Sequence, residues 1–344
     1  MYKILPVFIP FAGCNCKCIY CNQQKISGIS SGDILEKAES QISYYLNISK
    51  KWDEVAFFGG SFSCLPKSLR EDLYKIAWKT GIRTFRFSTR PDCISPEIIS
   101  ELKANNVKTV ELGVQSFSDS VLLNNNRPYT GKIAEKALLL LKDAGVKSVA
   151  QIMVGMYSED EMDFIKTVDK LCLIHPDAVR VYPNVVIKDT ILEKLYLKKR
   201  FIPLDFSETL LRTSYAVMKF LSKQINILRV GLQYSRELKE SITGGVYHES
   251  FGDMVRTFII ACYIDRFKKV EIPSKAISTV FGYKGIVKKM FYDRIQVNEN
   301  ADFSFKNICS LLENSLDENY WGISQREIAR FAGEEWCKAN HRQS

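Results

Sequence analysis

The 344-residue sequence contains only three histidines, His175, His248 and His341, and their spacing does not match a metal site. It also lacks an apolar run of the roughly 18 residues needed to cross a bilayer. No basic segment followed by an apolar core precedes the first predicted strand, so a secretory signal is not expected. We therefore expect a cytoplasmic protein with no histidine-ligated metal and no membrane partner.

The overall composition is that of an ordinary globular protein, with 46% apolar and 25% charged residues. The length is sufficient for one large α/β domain of about 250 residues and a smaller appendage. A formal net charge of +9 favours an anionic partner such as nucleic acid. The charge alone does not identify that partner, because lysine is abundant throughout the chain.

Four of the ten cysteines, Cys14, Cys16, Cys18 and Cys21, follow an apolar run over residues 4–10 that predicts the first β-strand. The spacing of Cys14, Cys18 and Cys21 lets one short loop bind three iron atoms of a 4Fe-4S cluster and leaves the fourth iron without a protein ligand. A ligand set that includes Cys16 stays open on spacing alone, as does a zinc knuckle or a group of buried apolar cysteines. A zinc site usually takes two ligand pairs from separate segments, and the sequence has no second Cys-x-x-Cys.

The other six cysteines are scattered and do not form a second cluster-binding group. We expect them to be buried or half-buried small apolar side chains in a reducing compartment. They are Cys64, Cys93, Cys172, Cys262, Cys309 and Cys337.

Downstream of the cysteines, β-branched and aromatic runs alternate with helical patterns, which predicts repeated βα units around a parallel sheet. Gly59 and Gly60 follow the second predicted strand, where bare backbone can approach a ligand. Glu111 lies within an apolar strand, where a charge is costly unless it faces a polar centre. Residues 158–161, Ser-Glu-Asp-Glu, predict a capping box that begins a helix at Ser158.

The cysteine spacing, with the aromatic Tyr20 directly before the last cysteine, resembles the signature of the radical S-adenosylmethionine (SAM) enzymes. Further motifs resemble the radical domain of the Elongator catalytic subunit and its bacterial relatives over residues 4–235. These motifs lie at residues 88–92, 111–116, 126–127, 179–183 and 187–190. The resemblance implies an α/β fold, a partial (βα)6-type TIM-like barrel.

The same resemblance implies two cofactors, a 4Fe-4S cluster on Cys14, Cys18 and Cys21, and SAM. It also implies a one-electron reductant of the flavodoxin or ferredoxin type as partner, and a 5′-deoxyadenosyl radical that abstracts hydrogen from a substrate. The implied cofactor contacts are Tyr20, Gly59, Gly60, Ser88, Arg90, Glu111, Gln115, Arg127 and Gln151.

Individual roles within that set also come from the resemblance. Gly59 and Gly60 would bind the methionine amino group of SAM, Arg127 its carboxylate, and Gln151 its adenosine end. The sequence departs from its relatives at residues 155–157 and 128–129, which makes the adenine contacts the weakest part of the resemblance. The cysteines of the Elongator subunit itself are spaced more widely, so the match is to its relatives.

We predict a barrel over residues 1–243 and a second module over residues 244–344. The second module has the order strand, helix, Gly-x-x-Gly at 282–285, helix, strand, which is typical of KH-type RNA-binding modules. We expect Gly282 and Gly285 to allow close approach of an RNA backbone. The lysines expected to meet phosphates are Lys284, Lys288 and Lys289. The alternative is a packing appendage with a glycine turn.

Three functional hypotheses follow from the sequence. The first is a radical SAM enzyme acting on RNA, with tRNA as the first choice. The second is the same chemistry on a peptide or small metabolite, and the third is a non-catalytic RNA-binding protein that carries a cluster or zinc. Acetyl transfer is not predicted, because the residues after the barrel are too few for an acetyltransferase domain. The product, the radical-quenching residue and the oligomeric state do not follow from the sequence.

Overall fold

The computed structural model describes residues 2–27, 33–49, 51–315 and 323–340. Its main feature is a seven-stranded parallel sheet in the order β1-β2-β3-β4-β5-β6-β8. These strands are β1 Ile4–Phe8, β2 Glu54–Phe58, β3 Phe85–Thr89, β4 Val107–Gln115, β5 Lys147–Val154, β6 Ala178–Pro183 and β8 Asn226–Val230. The sheet curls into an open half-barrel, which confirms the predicted TIM-like α/β class.

Helices follow the strands along the chain, and the longer ones among them pack on the apolar outer face of the sheet. They are α1 Gln23–Ser27, α2 Ile34–Ile48, α3 Lys67–Trp78, α4 Pro96–Ala104, α5 Asp119–Asn124, α6 Gly131–Asp143, α7 Glu161–Ile174, α8 Ile191–Leu197, α9 Phe206–Ser222 and α10 Arg236–Ser241. Two short strands, β7 Val186–Ile187 and β9 Ile242–Gly244, pair antiparallel beside the barrel. None of the helices in the described ranges is long and apolar enough to cross a membrane.

Side-chain burial shows which face of the sheet is open. In β1, Leu5 and Val7 are fully buried against the helices, whereas the alternate residues Ile4, Pro6 and Phe8 are half-buried. Strand β3 alternates in the same way, with Phe85 and Phe87 fully buried and Arg86 half-buried. A parallel sheet covered on both faces would bury both sets of side chains. The inner face therefore lines a partly open interior.

The C-terminal residues pack around a second apolar core. Their elements are α11 Phe251–Phe267, β10 Val270–Ile272, α12 Ile277–Phe281, α13 Ile286–Phe291, β11 Ile295–Val297, α14 Phe305–Ser315 and α15 Ile323–Asn340. The predicted order of strand, helix, glycine loop, helix and strand is present, and β10 and β11 pair in parallel. The KH assignment itself stays a prediction.

Helix α9 contributes to both cores. Phe220 packs in the barrel core, whereas Leu211 and Met218 pack in the second core. Helix α9 precedes residue 243, yet part of it already packs in the second core. The predicted domain boundary between residues 243 and 244 therefore stays a prediction.

Cys64 and Cys93 form a disulfide between the turns that follow β2 and β3. This pair corrects the expectation of isolated apolar thiols. The sequence separation of 29 residues hid the contact, because two successive strands of a parallel sheet end at the same edge. Cys172 is half-buried, and Cys262 and Cys309 are buried, as expected. The Cys337 side chain and His341 lie outside the part of the chain that the structure describes.

Candidate cofactor site at the open end of the half-barrel

The four clustered cysteines lie on the loop between β1 and α1, at the carboxyl end of the sheet, where parallel α/β folds bind ligands. Two backbone hydrogen bonds fold this loop, from Cys14 N to Phe11 O at 2.9 Å and from Cys21 N to Cys18 O at 3.1 Å. Gly13 has a φ of +73°, and a Cβ there would lie 2.2 Å from Ser61 O. The loop therefore packs directly on the turn after β2.

Three of the four thiols have a polar partner, each from a different part of the fold. The contacts are Ser61 Oγ with Cys14 Sγ at 3.3 Å, Arg127 Nη1 with Cys18 Sγ at 2.9 Å and Gln23 Nε2 with Cys21 Sγ at 3.3 Å. No hydrogen bond to the Cys16 thiol is found within the described ranges. The contacts thus distinguish the three predicted ligands from Cys16, a distinction that spacing alone left open.

Electrostatics also group these three thiols. Burial raises the pKa of Cys21 to about 12, and neighbouring Cys18 and Cys14 raise it further in the same direction. Such a thiol stays protonated at neutral pH until a metal displaces the proton.

The chemistry of the donor set suits an iron–sulfur cluster. Such clusters are held by cysteine thiolates, and Cys14, Cys18 and Cys21 are free cysteines on one short loop. The residues present therefore fit a 4Fe-4S cluster.

The two glycines after β2 pack against the cysteine loop and the end of β1. Gly59 has a φ of +85°, a conformation that favours glycine. A Cβ on Gly60 would lie 2.5 Å from Ala12 O and 2.7 Å from Ile9 O. Gly60 is therefore needed for the close approach of β2 to the cysteine loop, and the predicted contact of both glycines with a methionine amino group stays a prediction.

Arg127 is buried between the cysteine loop and β4. Besides Cys18, it donates from Nη2 to Gly113 O at 2.7 Å and from Nε to Tyr129 Oη at 2.8 Å. Three separate acceptors fix the guanidinium group. Arg127 thus ties Cys18 to the sheet, and its predicted contact with the methionine carboxylate of SAM stays a prediction.

Arg90, at the end of β3, is also buried but keeps one free donor. Its Nε and Nη2 each donate to Asp92 at 3.0 Å. Its Nη1 is buried, and among the described residues it has no hydrogen-bond partner. A buried cationic N–H without an acceptor is costly, so this group is suited to an anionic ligand.

The barrel interior holds a row of paired charges. Glu111 on β4 accepts from Arg180 Nε at 3.0 Å and from Arg86 Nη1 at 3.3 Å. Arg86 Nε also donates to Glu54 at 2.6 Å. These ion pairs explain how Glu111 is accommodated in an otherwise apolar strand. Both of its carboxylate oxygens accept hydrogen bonds from arginines, so neither is free to bind a ligand.

The remaining predicted SAM contacts lie on β3, β4 and β5 and, for Tyr20, on the cysteine loop. Ser88 donates to Gly60 O at 3.4 Å, which places it beside the glycine step. Gln151 Nε2 lies 3.5 Å from Gln115 Oε1, and Gln115 has a φ of +64° at a register shift between β4 and β5. The Tyr20 hydroxyl is buried without a partner in the structure. The structure thus brings these residues to the inner face or the carboxyl end of the sheet, and their contact with SAM stays a prediction.

Sequence reasoning missed several residues that support the loop. Ser61 and Gln23 contact thiols, and Asn126 Nδ2 donates to Lys17 O at 2.7 Å. Tyr129 supports Arg127. Ser61 adjoins the glycine pair and Asn126 lies within the recognised motif at residues 126–127, but no pattern in one sequence assigns a long-range contact to them.

Glu159 is a buried carboxylate in the loop after β5. Its Oε2 accepts from Gly155 N at 2.6 Å and from Met156 N at 3.3 Å, and its Oε1 is buried without a partner in the structure. Burial raises the pKa of Glu159 to about 8, against the lowering effect of these hydrogen bonds. Glu159 therefore shapes the loop at the end of β5, close to Gln151.

We expect Glu159→Gln to flatten the pH dependence of folding stability. Between pH 4.5, the ordinary pKa, and about 8, the unfolded chain has released a proton that the folded chain still holds. Stability therefore falls as pH rises through this window, by up to about 1.4 kcal/mol per pH unit from this group. Glutamine keeps an acceptor for Gly155 and Met156 and has no proton to lose. Urea unfolding across this window measures the difference.

The matched control for this prediction is Glu237→Gln, at an exposed carboxylate on α10. It should follow the wild-type curve. Parallel stability curves for wild type and Glu159→Gln would show that Glu159 is ionised in the folded protein at neutral pH.

Two family models match this chain. The Radical SAM superfamily model matches residues 8–171, which contain the cysteine loop and strands β2 to β5, and the Radical_SAM C-terminal domain model matches residues 176–259. The chain therefore belongs to the radical SAM superfamily, whose enzymes use a 4Fe-4S cluster and SAM. This confirms the predicted family, enzyme class and cofactors and removes the non-catalytic alternative.

Within the superfamily, the chain is similar to Elongator-type proteins. It is 30% identical to the tRNA uridine(34) acetyltransferase of Methanocaldococcus jannaschii, over 53% of this chain and 34% of that protein. It is 26% identical to Elongator complex protein 3 of Saccharomyces cerevisiae, over 49% of this chain and 35% of that protein. The chain thus spans less than half the length of these relatives.

A solved structure shows the same fold. The archaeal Methanocaldococcus infernus Elp3 with an N-terminal deletion aligns with a TM-score of 0.57 at 20% identity, over 78% of this chain and 63% of that chain. At this identity the likeness concerns the fold alone.

Proposed function

We propose that this protein cleaves SAM reductively at a 4Fe-4S cluster held by Cys14, Cys18 and Cys21 and abstracts hydrogen from an RNA, with tRNA as the first choice. The observation that carries the cofactor part is the set of polar contacts to these three thiols, from Ser61, Arg127 and Gln23, at the open end of the half-barrel.

A cluster held by Cys14, Cys18 and Cys21 would supply the one electron for reductive cleavage of SAM to methionine and a 5′-deoxyadenosyl radical, which would take a hydrogen atom from the substrate. The chain's own residues position the cofactors. Gly60 lets the sheet edge approach the cysteine loop, and Arg127 holds Cys18 against β4. Of the two buried arginines, Arg90 has the unpaired donor, Nη1, and we assign the methionine carboxylate to it in preference to Arg127.

An electron must reach the cluster from a one-electron reductant of the flavodoxin or ferredoxin type. Asn15 and Lys17 alternate with the cysteines and are exposed to solvent. The cluster loop is therefore accessible from outside, and its exposed positions give the reductant a place to dock.

The RNA part of the proposal is supported by the C-terminal module and by the names of the relatives. Lys284 and Lys288 are exposed on and beside the Gly-x-x-Gly loop, whereas Lys289 forms an ion pair with Glu335 at 2.6 Å. Of the two glycines, Gly285 faces open space, but a Cβ on Gly282 would lie 2.4 Å from the Thr257 side chain. Gly285, Lys284 and Lys288 are thus the accessible part of the predicted RNA site.

The experiment combines cofactor cleavage with RNA binding. Anaerobically reconstituted protein, given dithionite and SAM, should release 5′-deoxyadenosine, and it should bind tRNA at low salt. We expect the double variant Lys284→Gln/Lys288→Gln to lower the slope of log K against log salt concentration, by about 0.7 for each single-strand phosphate that the variant no longer neutralises. The matched control is Lys132→Gln/Lys136→Gln on the exposed side of α6.

The two readouts separate the parts of the proposal. Release of 5′-deoxyadenosine without any RNA binding would favour the peptide or small-metabolite alternative. A reconstituted protein that binds tRNA but never cleaves SAM would contradict the proposed chemistry.

A further inference from the structure

The exposed Tyr292 and Lys288 and the half-buried Phe281 form a cluster beside the Gly-x-x-Gly loop. Phe281 ends α12 and Tyr292 follows α13, and their ring centroids are 6.2 Å apart at an interplanar angle of 46°. The Lys288 ammonium lies 5.6 Å from the centroid of each ring. Tyr292 is 64% exposed, which is unusual for a large aromatic side chain.

The fold fixes this arrangement from the opposite side of α13. Ile286, Val287 and Phe291 are buried in the second core. Lys288 on the same helix is exposed, and Tyr292, directly after the helix, lies beside it, with its ring centroid 5.6 Å from the Lys288 ammonium. Both rings therefore lie next to a packed helix, Phe281 at the end of α12 and Tyr292 directly after α13.

The charge around the rings is positive and partly uncompensated. Lys289 pairs with Glu335, and Arg294 pairs with Asp265 at 3.2 Å. Lys284 and Lys288 instead lie over aromatic rings, with no ion pair to a carboxylate within the described ranges. Exposed aromatic faces combined with free ammonium groups are the elements that bind single-stranded nucleic acid, by base stacking and phosphate contact.

We propose that Tyr292 and Phe281 form a stacking site for an unpaired nucleobase, with Lys288 and Lys284 contacting the adjoining phosphates. The site gives the module a preference for single-stranded RNA over duplex RNA, because only an unpaired base exposes its face for stacking. This inference rests on the proposed RNA substrate and adds which part of the RNA the module binds.

The test is fluorescence anisotropy of the full chain with a fluorescein-labelled single-stranded RNA of about ten nucleotides and with a duplex of equal length. A single strand of this length spans a typical single-strand site. Wild type should bind the single strand more tightly than the duplex. Tyr292→Ala should raise the single-strand dissociation constant about tenfold and leave duplex binding unchanged. Tyr292→Phe should bind as wild type does, because a phenylalanine ring stacks equally well.

Two controls keep the outcome interpretable. Tyr44→Ala removes a 62% exposed tyrosine from α2 and should not affect RNA binding. Release of 5′-deoxyadenosine without RNA should be unchanged in Tyr292→Ala, which shows that the variant is folded and loaded.

Contrary results would point to distinct failures. Single-strand binding by Tyr292→Ala equal to that of wild type overturns the stacking site while leaving an RNA substrate intact. Absence of RNA binding by the wild-type protein itself overturns the RNA proposal, and the stacking site with it.

Discussion

Serine at position 14, 18 or 21, introduced one at a time, is expected to abolish incorporation of the 4Fe-4S cluster and to reduce 5′-deoxyadenosine release to background. Serine at position 16 is expected to leave both unchanged. The reason is that Cys14, Cys18 and Cys21 have fixed polar partners, whereas the Cys16 thiol has none within the described ranges. Iron and sulfide content after anaerobic reconstitution, together with the visible absorption of the cluster, measures the effect.

Cys16→Ser is the matched control, because it makes the same chemical change within the same loop. Loss of iron in Cys16→Ser, with retention in one of the other three variants, would assign the cluster to a different ligand set. Equal iron loss in all four would indicate that the loop tolerates no serine. The result thus decides a question that cysteine spacing cannot.

The sequence predicted the architecture well because its signal is local. Strands β2 to β6 each coincide with a short apolar or β-branched run, and the parallel order follows from the helices between them. The cysteine motif and the glycine pair were visible for the same reason, since each is a contiguous string of residues. Glu111 could be recognised as lying on the polar interior, because an isolated charge in an apolar strand requires a partner.

The partners themselves could not be predicted, because they come from distant parts of the chain. Glu111 is neutralised by Arg86 and Arg180, which lie on two other strands. The disulfide between Cys64 and Cys93 depends on two strands ending side by side. Neither relation leaves a trace in a single sequence.

The start of α7 shows how a buried contact changes a local rule. Residues 158–161 predicted a capping box beginning at Ser158, but the helix is capped by Asp160, whose side chain accepts from Asp163 N. Glu159, the intervening residue, turns inward and binds Gly155 N and Met156 N. With Glu159 bound inside this loop, the helix starts two residues later than the pattern indicated.

Substitution of Gly60 by alanine is expected to weaken both the fold and the catalytic site. Its φ is not in the left-handed region, so the effect is steric: the added Cβ would meet the carbonyl oxygens of Ala12 and Ile9 at 2.5 Å and 2.7 Å. Backbone atoms cannot rotate away as a side chain can, so the cysteine loop must move. We expect a loss of about 1–3 kcal/mol in the free energy of unfolding.

The same displacement should reduce the rate of SAM cleavage by about a hundredfold, because a shift of about 1 Å at a positioned cofactor is enough for such a loss. Urea unfolding and the rate of 5′-deoxyadenosine release measure the two effects.

Gly252→Ala is the matched control, since its Cβ would lie 3.4 Å from Val230 O, an ordinary contact, within helix α11. Gly252 lies in the first turn of α11, where an added methyl group meets no closer neighbour, so this control should keep wild-type activity and stability. Wild-type stability, iron content and cleavage rate in Gly60→Ala would contradict this prediction. The close approach of β2 would then not be what holds the cysteine loop in place, and the three thiol contacts alone would have to position the cluster.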